Sequence, residues 1–118
     1  MTFLRGDMVM TRFPHAGGGG GKKRPAVVIQ ADVYNSYLKH VIVAEITTNL
    51  APAADPASFL IDVGTADGQA TGLAQTSVVC CLFLSTVAET GITQVIGKLS
   101  DPMKGQLDAC LKAALPLS

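Results

Sequence analysis

A chain of 118 residues with zero formal net charge, 48% hydrophobic and 15% charged, fits one domain over residues 1–118, and nothing in it suggests two. So apolar a small chain points to surface covered by a partner, for which a homodimer is the simplest arrangement. The longest unbroken apolar run, residues 78–84, falls far short of the ~20 residues of a membrane helix. The first ten residues carry Asp7 and lack the apolar stretch of a secretory signal, so a cytoplasmic protein with no membrane partner is expected.

The charge is unevenly placed. Residues 1–25 hold Arg5, Arg12, Lys22, Lys23 and Arg24 against Asp7 alone, a local +4, and the remainder carries the balancing −4. Either this is a solvated lysine-rich loop, or the first part draws a phosphate-bearing partner. Cys80, Cys81 and Cys110 have neither CxxC spacing nor a neighbouring histidine. They read as buried reduced thiols, and no metal or other cofactor is expected.

In chain order, residues 8–13 predict a strand with Val9, Thr11 and Phe13 on one face and Met8, Met10 and Arg12 on the other. Pro14 stops it. His15 follows in a loop that runs into five glycines, Gly17 to Gly21, a segment that leaves what comes after it open to a ligand. Residues 26–30 are apolar on both faces and predict a central strand; residues 32–35 predict a turn. Over residues 40–48, period-2 alternation places Val41, Val43, Glu45 and Thr47 on one face and Ile42, Ala44, Ile46 and Thr48 on the other. Residues 49–58 predict a flexible connection, 59–63 a short strand, and Gly64, Gly68 and Gly72 a turn-rich stretch. Residues 77–87 and 92–99 predict two further strands, with Cys80, Leu82 and Leu84 on a shared face. One helix closes the chain. Ser100 or Asp101 caps it, Pro102 suits its first position, and Met103, Leu107, Cys110, Leu111 and Ala114 form one apolar stripe that ends before Pro116. Six short strands without helices between them predict a mainly β fold, a small twisted barrel rather than a parallel sheet.

The stretch with the most chemistry is Lys22-Lys23-Arg24-Pro25-Ala26-Val27-Val28, where three cations run directly into a strand. Pro25 fixes its own φ and holds Arg24 extended, so the guanidinium leaves the mouth of the strand. Together with Gly6-Asp7-Met8-Val9, Tyr34-Asn35, Ile46-Thr47-Thr48-Asn49, Thr71-Gly72-Leu73, Ser77-Val78-Val79 and Ile96-Gly97-Lys98-Leu99-Ser100, the part Arg24-Pro25-Ala26-Val27-Val28 resembles the MazF/PemK toxins of type II toxin–antitoxin pairs. The resemblance implies an SH3-like (MazF/PemK/CcdB-like) barrel with a C-terminal helix that dimerises. It further implies a metal-independent endoribonuclease that cleaves single-stranded RNA and is neutralised by a cognate antitoxin.

Cleaving RNA without a metal requires a base for the 2′-hydroxyl, donors for the charge developing on phosphorus, and an acid for the leaving 5′-oxygen. Arg24 matches the family's catalytic arginine, and its planar fork suits two phosphate oxygens at once. Thr47 matches the active-site threonine, whose hydroxyl bonds the scissile phosphate. Lys22, Lys23, Thr48 and His15 are candidate RNA contacts, and Glu45, two residues before Thr47 on the same face, is a candidate base. The chain departs from the family after residue 79. Relatives commonly read Arg-Cys-Asp-Gln there, with another arginine beyond; here stand Cys80-Cys81-Leu82-Phe83 and Ser85. Two rival readings therefore stay open: a non-catalytic relative that binds nucleic acid or protein, and a poison of a protein target.

Overall fold

The computed structural model describes residues 2–13 and 22–117, so Pro14, His15 and the five glycines lie outside the described residues. Six strands form one antiparallel sheet in the order β4-β5-β3-β2-β1-β6. They are β1 (Asp7–Arg12), β2 (Lys23–Val28), β3 (His40–Thr47), β4 (Ser58–Ile61), β5 (Ser77–Ala88) and β6 (Ile92–Lys98). The central position expected for the second strand holds, since β2 lies between β1 and β3.

Connectivity forces this sheet to roll up. In the sheet order β5 and β6 stand four places apart, yet only Glu89–Gly91 connects them, coiled into a 3₁₀ turn. Four flat inter-strand spacings amount to ~19 Å, whereas four residue steps reach at most ~14 Å. The sheet must curl until its two sides approach. In keeping with this, the Thr11 hydroxyl of β1 donates to the Gly91 carbonyl at 3.3 Å, and the barrel expected from the sequence follows.

Rolling gives the sheet two buried faces. Met8, Val27, Ala44, Ile46, Phe59, Ile61, Val79 and Cys81 lie under the C-terminal helix, whose Met103, Leu107 and Cys110 are buried against them with Leu111 and Ala114 alongside. Val9, Ala26, Val28, Val41, Val43 and Val87 line the other face with Phe3, closed by Phe13 and Ile92 instead of a helix. The alternation expected in the first and third strands is what separates these sets. The C-terminal helix spans Asp101–Ala114, with Pro102 in its first turn, and the Ser100 hydroxyl accepts from the Met103 N–H at 3.3 Å.

The connections are more ordered than the sequence implied. Numbering the helices in order, α1 (Asp32–Asn35) replaces the expected turn and α2 (Ala66–Ala70) sits inside the glycine-punctuated stretch, so the C-terminal helix is α3. Residues 49–58, expected as a flexible connection, contain a 3₁₀ turn over Ala51–Ala54. A side-chain cap starts one of these pieces, and a side-chain bond from Asn49 braces another. The Thr65 hydroxyl accepts from the Gly68 N–H at 3.0 Å to start α2, and the Asn49 carboxamide accepts from the Ala51 N–H at 3.2 Å. Buried Asn35 donates to the Gln30 carbonyl at 3.0 Å, and the Gln30 amide donates back to Asn35 Oδ1 at 2.9 Å and to the His40 carbonyl at 3.0 Å. That closed circuit satisfies buried amides and fixes how β2 hands over to β3. Among the described residues no helix is long and apolar enough to cross a membrane.

Candidate active site

The site begins with a proline in the middle of the sheet. Pro25 has no N–H to give to a neighbouring strand. On one side β2 pairs with β1 along its length, Arg24 opposite Thr11 and Lys23 opposite Arg12. On the other side its pairing with β3 covers only Ala26, Val27 and Val28, opposite Glu45, Ala44 and Val43. The ladder between β2 and β3 thus ends at Pro25. Residues 22–24 and the end of β3 run on without it, and the space between them is the site.

Register brings the predicted pair together. Arg24 lies two residues before Ala26 and Thr47 two after Glu45, and Ala26 faces Glu45 across the ladder. Arg24, Glu45 and Thr47 therefore project from one side of the sheet. All three line one cavity of about 270 Å³ with Asn49, Pro52, Cys80 and Phe83. Arg24 and Thr47 also line an adjoining cavity of about 380 Å³ with Lys22, Lys23, Thr48 and Ser77. Apart from His15, which lies outside the described residues, every residue singled out from the sequence for RNA chemistry sits in these two cavities.

The Thr47 hydroxyl is held in a useful state. Its oxygen accepts the Asn49 N–H at 3.1 Å, so one lone pair is occupied and its rotation is limited. Among the described residues nothing takes its proton, which is left to donate into the cavity. Lys22, Lys23 and Arg24 are exposed, and among the described residues none of them is in an ion pair. Their charge is available to an anion. Glu45 is half-buried and is the acid in the smaller cavity. Among the described residues no group of three or more His, Cys, Asp or Glu is arranged to hold a metal ion.

Strand β5 overturns one expectation. Glu45 pairs with Cys80 but Ala44, the next residue back, pairs with Leu84, so residues 81–83 bulge out with no partner on β3. Such insertions reset the alternation of faces. Cys80 lies on the site's side, whereas Leu84 packs against the core beneath α3. Cys80, Leu82 and Leu84 therefore do not share a face. Leu82 and Phe83 are exposed at 58% and 60%, while Cys80 is buried at 4%. Of the bulge residues Phe83 borders the cavity. Sequence reading missed Phe83, Asn49, Pro52 and Ser77 as site residues, although Asn49 and Ser77 carried a signal as parts of Ile46-Thr47-Thr48-Asn49 and Ser77-Val78-Val79.

The cysteines are free and buried, as expected. Burial, then the neighbouring Cys110 and Cys80, pushes the Cys81 thiol up to about 12, and burial, then Asp55, pushes Cys110 up as well. Neutral thiols of this kind belong to packing rather than to nucleophilic chemistry.

Comparison with known proteins bears on this geometry. The profile of a family described as PemK-like, MazF-like toxin of type II toxin–antitoxin system matches residues 4–115. The chain belongs to that family. Among its PemK/MazF relatives, the Mycobacterium bovis protein named endoribonuclease MazF2 is 35% identical over 105 residues, 88% of each chain. The Bacillus subtilis protein named endoribonuclease EndoA is 30% identical over 118 residues, covering 99% of this chain and 97% of its own. The Mycobacterium tuberculosis toxin MazF-mt6 shares the PemK/MazF fold with a TM-score of 0.77 at 23% identity, over 95% of this chain and 98% of that one.

Proposed function

We propose that this PemK/MazF chain is a toxin that cleaves single-stranded RNA without a metal ion and is neutralised by a cognate antitoxin. The observation that carries the proposal is the meeting of Arg24 and Thr47 in one cavity, at the point where Pro25 ends the β2–β3 ladder. The 2′-hydroxyl attacks the adjacent phosphorus, the P–O5′ bond breaks, the leaving 5′-oxygen takes a proton from water, and the products are a 2′,3′-cyclic phosphate and a 5′-hydroxyl. Arg24 holds two oxygens of the phosphorane-like transition state, and the free Thr47 proton supplies a further donor. Glu45 is the group placed to take the 2′-hydroxyl proton. Lys22, Lys23 and Thr48 hold the flanking phosphates in the larger cavity. We assign the active form to a homodimer, on the apolar composition, and its place to the cytoplasm, on the three free thiols.

The test is incubation of the purified protein with single-stranded RNA in EDTA, with end-group analysis of the fragments. Fragments with 5′-hydroxyl and cyclic-phosphate ends from the wild type, and none from Arg24→Ala, support the reading. Intact RNA with the wild type refutes it.

One observation favours the binding-module rival. The exposed bulge presents Leu82 and Phe83, neither of which has a proton to give the leaving oxygen. An enzyme lacking a positioned acid loses ~10²- to 10⁴-fold, so turnover is expected to be slow. RNA bound but left intact after prolonged incubation would establish the rival.

A further inference from the structure

Phe83 has no structural task that explains its position. A bulge of residues 81–83 lifts it out of the β3–β5 ladder, and its side chain is 60% exposed. A phenylalanine normally contributes by being buried, so one left this open at the rim of a cavity that also holds charged groups is poorly used by the fold alone. The cavity it borders also holds Arg24, Glu45 and Thr47. On the reading above, these groups engage the scissile phosphate. A nucleotide whose phosphate sits against Arg24 and Thr47 has its base one sugar away, beside the same cavity. At that rim the aromatic surface is the ring of Phe83, with half-buried Pro52 as its apolar neighbour.

We propose that Phe83 is a stacking platform for a nucleobase next to the scissile phosphate, and so a positioning residue of this site. The inference rests on the RNA-cleavage reading. Every base has a π-face, so an aromatic platform accepts any of them, purines best because their area is larger. It adds what the cations cannot. Lys22, Lys23 and Arg24 grip phosphates and allow the chain to slide, whereas a stacked base fixes which phosphate stands before Thr47.

The experiment measures binding of two uncleavable probes to the full chain. One is a hexamer of 2′-O-methyl adenosine; the other is a six-unit abasic sugar-phosphate chain with the same charge. The wild type is expected to prefer the adenosine hexamer. Phe83→Ala should weaken that ligand by about 5- to 150-fold, the range spanned by one base–aromatic stack, leaving the abasic chain and the salt slope of both unchanged. Phe83→Trp should restore the preference and Phe83→Leu should not, which separates stacking from plain apolar contact. Because the ring is exposed, these variants should melt with the wild type.

Equal affinities of Phe83→Ala and wild type for the adenosine hexamer overturn the inference, as does an equal loss on both probes. If Phe83→Ala instead leaves RNA affinity alone and turns a dimer into a monomer in sedimentation, the ring belongs to a protein interface and the inference fails. A wild type that binds neither probe fails earlier, at the RNA reading itself, before any variant is made.

Discussion

Replacing Thr47 by valine removes a hydroxyl and almost nothing else, since the two side chains share branching and size. In the folded protein that hydroxyl accepts the Asn49 N–H at 3.1 Å, in an exposed bond. Water can take over from the lost acceptor, so stability should fall by no more than about 1 kcal/mol, a shift on the order of 5 °C in Tm for a domain of this size. Catalysis should suffer far more. The hydroxyl of Thr47 lines the cavity and has its proton to give, and loss of one preorganised donor to a developing oxyanion costs ~10²–10³ in rate, about 2.7–4 kcal/mol. The assay is single-turnover cleavage of an end-labelled single-stranded RNA with enzyme in excess, alongside a thermal melt. Thr47→Ser, which keeps donor and acceptor, should stay close to wild type. A folded Thr47→Val whose rate lies within about threefold of wild type, under about 1 kcal/mol of barrier, would falsify the role given to this hydroxyl.

Other perturbations separate binding, folding and thiol chemistry. Arg24→Ala should lose on the order of 100-fold or more in cleavage beyond any loss of affinity, and Arg24→Lys should recover affinity better than rate, because an ammonium cannot bridge two phosphate oxygens; equal recovery of both would reduce Arg24 to a point charge. Gly72 has φ +75° and faces the Ile96 carbonyl so closely that a Cβ would collide with it. Gly72→Ala should therefore destabilise by about 1–3 kcal/mol, visible as a lower denaturant midpoint, and an unchanged midpoint would show that the turn relaxes. The raised Cys81 thiol, up to about 12 against an ordinary 9.0, is neutral in the fold where an unfolded chain would ionise. The unfolded state then holds fewer protons between those two values, so this stabilisation is complete below pH 9, where both states are protonated, and declines as pH rises from 9 towards 12. Urea midpoints measured across that window should fall, and alkylation of the native protein at pH 8 should be slow until denaturant is added; fast native labelling would contradict the buried, neutral assignment.

Local chemistry was enough for the elements themselves. The 3.6-residue spacing of Met103, Leu107, Cys110, Leu111 and Ala114 is a property of the α-helix, and it marked the buried side of α3 before any partner surface was known. Period-2 alternation likewise divided Val41 and Val43 from Ala44 and Ile46, which lie in different cores. Arg24 and Thr47 were legible through the resemblance to the PemK/MazF family; local chemistry alone offers an arginine before a proline and an ordinary strand threonine. The short helices at 32–35 and 66–70 were not, since a single turn has no periodicity and depends on caps such as Thr65.

What tertiary structure decided was register. Nothing local says that Ala26 stands opposite Glu45, although that pairing is what brings Arg24 and Thr47 to one cavity. Nor does alternation along residues 80–84 reveal that the partner strand skips three of them. A bulge is a mismatch between two strands, and one strand read alone can only continue its own period. That mismatch sends Leu84 into the core and leaves Phe83 open beside Arg24, because three extra residues on one strand shift which side of the sheet each following side chain takes.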